Sequence, residues 1–82
     1  MELIYPKIAI KLLTQLKMRP YSRTEIRKGI PSSISTTIFN NITEVMVIKN
    51  LIVITHEYRK NASRPTQILS ITQAGSDLLN QN

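Results

Sequence analysis

The chain has no cysteine. Neither a disulfide framework nor a thiolate zinc site can form, which suits an intracellular, cytoplasmic protein. There is one histidine, His56. Strand alternation puts it on the face of Ile52 and Ile54, and a single histidine cannot build a metal site, so a structural role is expected. Glycine occurs only at Gly29 and Gly75. That leaves no Gly-rich loop to cradle a phosphate. No nucleophile–base–acid set and no paired carboxylates are present, and Ser22-x-x-Glu25 reads as a helix cap rather than an acid/base pair. The expectation is therefore no enzyme, no cofactor and no metal. Long apolar runs are missing too. The longest, such as Leu51 to Ile54, are far too short to span a bilayer. Glu2 precedes the first lysines and no small-residue cleavage site follows, so no signal peptide is expected. Acid is scarce, with 5 Asp and Glu against 11 Lys and Arg.

What remains is a small cationic chain. It has 82 residues, 41% of them apolar, which predicts one globular domain over 1–82. The net charge of +6 and pI near 10.1 predict an anionic partner. With the membrane option weak, nucleic acid is favoured. The charge is also unevenly placed. Seven cations lie between Lys7 and Lys28, and Arg59, Lys60 and Arg64 share one loop. There are no internal repeats, low-complexity tracts or linkers.

Pro6 to Met18 predicts a first helix. Pro6 suits the first helical position, and Ile8, Leu12 and Leu16, with Ala9 and Leu13 beside them, form an apolar stripe. Pro20 ends it. Ser22 to Lys28 predicts a second helix, with Ser22 and Glu25 as a capping box, Ile26 inward and Gly29 as a left-handed C-cap. Pro31 then forces a turn. Ser32 or Ser33 caps a third helix over about 33–49. Ile34, Ile38, Ile42 and Val45 form its predicted stripe, with Thr36, Asn40 and Thr43 opposite and Thr37, Phe39 and Glu44 flanking. Leu51 to Tyr58 and Thr66 to Thr72 predict two antiparallel strands around a projecting basic loop. Thr72 caps a short last helix, Gln73 to Asn80. The fold class is mainly α with a small β-hairpin (α+β). The order of elements predicts a winged helix-turn-helix: a three-helix core, a two-stranded wing and a short C-terminal helix.

Two passages then carry a family likeness. One is Ser22-Arg-Thr-Glu-Ile-Arg-Lys-Gly-Ile30 with Ser33-Ile-Ser-Thr-Thr-Ile38 and Lys49-Asn-Leu-Ile52, in which Asn50 stands where Gly is usual. The other is Arg64-Pro-Thr-Gln-Ile-Leu-Ser-Ile-Thr-Gln-Ala-Gly75. The chain resembles the winged helix-turn-helix transcriptional regulators of the multiple-antibiotic-resistance and phenolic-acid-decarboxylase repressor group, over residues 6–80. The acidic residue frequent in that family's wing is replaced here by Asn61 or Ser63.

The resemblance implies sequence-specific double-stranded DNA binding by a transcriptional regulator. It implies a third helix in the major groove, with Ser35, Thr36, Thr37, Asn40 and Asn41 at base edges. Asparagine can pair bidentately with adenine, and Ser and Thr can donate or accept. Asn41 lies only about 60° off the predicted stripe, so partial burial is the alternative there. Arg23, Arg27 and Lys28 on the second helix would grip phosphates, as would Lys17 or Arg19 if the first loop reaches the backbone. Arg59, Lys60 and Arg64 in the wing would touch phosphates or enter the minor groove. One helix reads few base pairs, so a homodimer on a palindrome is expected. Its surface would come from the first helix, the last helix, or Phe39 and Val47. Two other readings fit the same pattern: a winged-helix protein-interaction module, and a nonspecific chromatin- or replication-type nucleic-acid binder. No small-molecule ligand is implied.

Overall fold

A computed structural model of the chain describes residues 5–58, 60 and 63–81. The elements run α1 (Pro6–Met18), β1 (Tyr21–Ser22), α2 (Arg23–Lys28), α3 (Thr36–Ile48), β2 (Ile52–Glu57), β3 (Thr66–Ile71) and α4 (Gln73–Asn80). Pro6 opens α1, and Arg19, held extended by Pro20, closes it. Ala9, Leu12, Leu13 and Leu16 are its buried stripe. They meet Ile26, Ile30, Phe39, Ile42, Met46, Leu51, Ile52 and Leu69 in a single core, against which Leu78 and Leu79 of α4 pack.

The hairpin pairs β2 with β3 antiparallel, from Ile52 opposite Ile71 to Glu57 opposite Thr66. The sheet holds a third strand that sequence reading did not anticipate. Tyr21 pairs with Leu69 and Ser22 with Ile68, giving the order β1-β3-β2. Two residues are too few to show alternation, yet they fasten the start of α2 to the base of the wing.

Ser22 is both the last residue of β1 and the cap of α2. Its hydroxyl accepts from the Glu25 N–H at 3.2 Å, and its own N–H donates to Glu25 Oε1 at 3.1 Å. Arg19 Nη2 lies 3.3 Å from Glu25 Oε2. The Ser22 backbone N–H foremost, then its hydroxyl and Arg19, hold the Glu25 carboxyl below the usual glutamate value. A pKa lowered by folding contributes stability above the unfolded value and loses it as pH falls through the folded one. The Glu25→Gln variant keeps the hydrogen bond without the charge. Thermal melts should therefore show a gap between native and Glu25→Gln that is open near neutrality and closes on acidification. A gap that stays constant with pH would contradict this account.

Three local expectations are corrected. Gly29 is not left-handed: its φ is −82°, and its N–H bonds to the Ile26 and Arg27 carbonyls. A Cβ there would meet only the Gln15 amide, at 2.9 Å. Helix α3 starts at Thr36 with Ser35 as its cap, Ser35 Oγ accepting from the Ile38 N–H at 3.1 Å. Ile34 lies before the helix, tied to Pro31 in a turn. The buried arc of α3 is Phe39, Ile42, Thr43 and Met46. It lies about 100° around the axis from the predicted stripe. Thr43 is thus buried, and so is Phe39, at 2% exposure. The cause is size. Phe39 is the largest apolar side chain on the helix, and it takes the core together with Ile42 and Met46 while Ile38 and Val45 are left partly buried.

Helix α3 ends as a Schellman motif. Asn50 has φ 61°, its N–H donates to the Val47 carbonyl, and the Leu51 N–H donates to Met46 at 2.8 Å. Asparagine tolerates this left-handed position, which explains how it replaces glycine.

Candidate nucleic-acid interface

The outward pole of α3 follows from its buried arc. Thr37, Asn41, Glu44 and Ile48 point most directly away from the core, and all four are exposed. Thr36, Asn40 and Val47 are exposed on the flank that faces α2 and the wing. Asn41 is therefore open rather than partly buried. Ser35 is exposed too, but its hydroxyl is committed to capping.

Two grooves border this flank. The first, of about 300 Å³, lies between α2 and the start of α3 and is lined by Arg23, Thr24, Arg27, Lys28, Thr36, Phe39 and Asn40. Three of these are cations and none is an acid. The N-terminal end of α3 adds its own positive partial charge to the same place. The second groove, of about 550 Å³, lies between α3 and the sheet. Its walls are Asn40, Thr43, Glu44 and Val47 on α3 and Ile54 and Gln67 on the hairpin, with Arg23 at the junction.

The cations of α2 are not equivalent. Lys28 is exposed. Arg27 is half-buried and its Nη2 donates to the Ile34 carbonyl at 2.5 Å, holding the turn. Arg23 Nη2 donates to Asn40 Oδ1 at 2.6 Å and Thr43 Oγ1 at 3.0 Å, and Nη1 donates to Gln67 Oε1 at 3.3 Å. Both guanidiniums also lie over the Phe39 ring, at 5.3 Å for Arg23 and 5.7 Å for Arg27. So Arg23 and Arg27 brace α3 against α2 while their acceptors, all uncharged, leave their positive charge unneutralised. Lys17 and Arg19 are likewise engaged, with Asn80 and Glu25.

On the wing, Lys60 and Arg64 are exposed. Arg59 and Asn61 lie outside the described residues. His56 is exposed on β2. Among the described residues no group of three or more His, Asp or Glu is placed to hold a metal ion. No helix described is long and apolar enough to cross a membrane. Sequence reading overlooked Thr24 and Gln67 as lining residues. Gln67 could have been found from strand parity, since it lies one step from the loop on the central strand.

Two solved structures are similar to this chain in fold. A MarR-family transcriptional regulator from Porphyromonas gingivalis W83 superposes with a TM-score of 0.75 over 92% of this chain and 70% of that one, at 21% identity. A PadR-family transcription regulator from Clostridium difficile R20291 superposes with a TM-score of 0.77 over 90% and 80%, at 19% identity. The fold is a winged helix. No family model and no curated protein matches the chain in sequence. The likeness read from Ser22–Ile38 and Arg64–Gly75 is thus met by fold: α2 and α3 form the helix-turn-helix and β2–β3 the wing.

Proposed function

We propose that this winged helix binds duplex DNA and regulates transcription, with α3 in the major groove and the wing against backbone or minor groove. One juxtaposition carries the reading. The open polar start of α3, with Thr36, Thr37, Asn40 and Asn41, borders a groove containing Arg23, Arg27 and Lys28 and no carboxylate. Base edges would meet the former and phosphates the latter. Lys60 and Arg64 extend the cationic surface along the hairpin, in line with the net charge of +6. The chain would act as a two-fold dimer on a palindromic site, since one α3 covers few base pairs. The start of α1, where Tyr5, Pro6, Lys7 and Ile8 line a hollow, is the surface offered for pairing.

Salt titration tests this. A protein neutralising roughly 4–8 phosphates loses duplex affinity with a log–log slope of about −4 to −7. That slope is expected here, together with a footprint on a defined sequence. Steep salt dependence with uniform coverage of any duplex would instead make the chain a nonspecific binder. A protein-docking module also has an observation in its favour. Val47, Ile48 and Val53 are 40%, 71% and 43% exposed, apolar surface that DNA does not require. Absence of salt-dependent duplex binding would favour that reading.

A further inference from the structure

We propose that Arg23 fixes the hydrogen-bonding polarity of the groove beside α3, so that Asn40 and Gln67 present only donors and the site prefers guanine or thymine over adenine at the base facing Asn40. The inference rests on the DNA-binding reading above and deepens it.

A guanidinium has five N–H donors and no acceptor. Whatever amide atom faces it at hydrogen-bond distance must be the oxygen. Arg23 meets Asn40 Oδ1 at 2.6 Å and Gln67 Oε1 at 3.3 Å. It has little freedom to move away. The Phe39 ring lies 5.3 Å below it, and the buried Thr43 hydroxyl accepts from its Nη2 at 3.0 Å. That hydroxyl cannot reverse, because its proton goes to the Asn40 backbone carbonyl at 2.9 Å. The chain of polarity runs one way: Arg23 donates to Thr43, and Thr43 donates to α3. Asn40 Nδ2 and Gln67 Nε2 are left facing outward, with no hydrogen-bond partner among the described residues. Both side chains line the groove between α3 and the sheet.

Bidentate recognition of adenine needs an amide to accept from N6 and donate to N7 at once. The bond to Arg23 at 2.6 Å takes one lone pair of Oδ1 and turns that oxygen toward α2, so the atom Asn40 offers to a base is Nδ2, which can donate to N7 but not accept from N6. Guanine offers two acceptors, O6 and N7, and thymine offers O4. Adenine N6 and cytosine N4 would instead bring a donor against a donor. Arg23 is thus a positioning residue, and its signature is the identity of a base rather than affinity alone.

The test is selection of bound sequences from random duplex DNA by the native chain, Asn40→Ala and Arg23→Met. The native motif should carry guanine or thymine at the position whose preference Asn40→Ala abolishes. Arg23→Met frees the amide and should move that position toward adenine by roughly ten-fold. Adenine at the Asn40-dependent position of the native motif overturns the inference. So does a motif unchanged in Arg23→Met, or an Asn40→Ala variant weakened equally on all sequences, which would mean a phosphate contact. Asn40→Asp covers the case in which Arg23→Met does not fold. Its carboxylate still faces Arg23 but the outward donor is gone, so its melting temperature should equal or exceed the native value while the guanine or thymine preference disappears. Retained preference, or a melting temperature no higher than that of Asn40→Ala, would refute the arrangement. Absence of any duplex binding at low salt would overturn the DNA-binding reading itself; binding whose motif ignores Arg23 overturns this inference alone.

Discussion

Gly75→Ala should lower the melting temperature by more than 10 °C, while Gly29→Ala should leave it nearly unchanged. Gly75 sits in the first turn of α4, where Thr72 Oγ1 accepts its N–H at 3.0 Å. Thr72 also ties α4 to the end of α3, its N–H donating to the Leu51 carbonyl at 3.0 Å and its hydroxyl to the Asn50 carbonyl at 2.6 Å. A Cβ on residue 75 would lie 2.3 Å from the Leu51 carbonyl oxygen and 2.9 Å from Ile71 Cγ1. The first of these is backbone, fixed by the Schellman turn on one side and by β2 on the other. Relief would require α4 to withdraw from Leu51, breaking the Thr72 bonds and loosening Leu78 and Leu79 from the core. Overpacking of this kind costs about 3 kcal/mol. For a domain of this size that is roughly 12–24 °C. At Gly29 the added methyl meets only the movable end of Gln15, and the backbone is already right-handed helical. There the loss of chain entropy in the unfolded state offsets a small displacement. A scanning-calorimetry comparison of the two variants decides the matter. Equal effects would mean that the close approach at Leu51 is not what demands glycine.

The contrast between these glycines also shows what a sequence can and cannot disclose. Several helix ends that a cap or a proline marks within four positions were legible, although the same kind of local rule misjudged Gly29, whose φ is −82°. Ser22 with Glu25, Thr72, Pro6 and Pro20 placed the ends of three helices. Asn50 was noted only as standing where glycine is usual; its left-handed φ of 61° gives the reason. The start of α3 was placed too early, because Ser32, Ser33 and Ser35 are all competent caps and only the turn held by Arg27 on Ile34 selects the last. Counting Ile34 into the helix then rotated the expected face, which turned Thr43 outward on paper and left Phe39 on the surface. The short β1 had no pattern to show. The brace at the candidate site was beyond local reading altogether. Arg23 reaches Asn40, Thr43 and Gln67 across separations of 17, 20 and 44 residues. The first two pairings exist only once α2 has packed on α3, and the third only once the sheet has brought the wing beside them. Sequence could nominate Arg23 and Asn40 as partners of DNA, but not as partners of each other.

Phe39→Ala is expected to destabilise the protein by about 3–5 kcal/mol, the range for emptying a buried aromatic site. Phe39 is 2% exposed and stands between α2 and the core. Its ring also supports the Arg23 and Arg27 guanidiniums, contacts that contribute about 0.5–1 kcal/mol each where partly exposed. A domain of 82 residues has about 4–12 kcal/mol in all, so the variant should be partly unfolded near physiological temperature. Urea titration should show the midpoint falling with the slope unchanged. Phe39→Leu, which refills most of the volume, should recover much of the midpoint but not the ring contacts, and so should remain below native. The opposite pattern belongs to the surface role that sequence reading expected. If Phe39 were a dimer contact, its removal would leave the urea midpoint of the dilute chain unchanged and weaken only self-association. Sedimentation of Phe39→Ala beside its urea curve separates the two, and burial beneath two arginines predicts that the folding curve moves first.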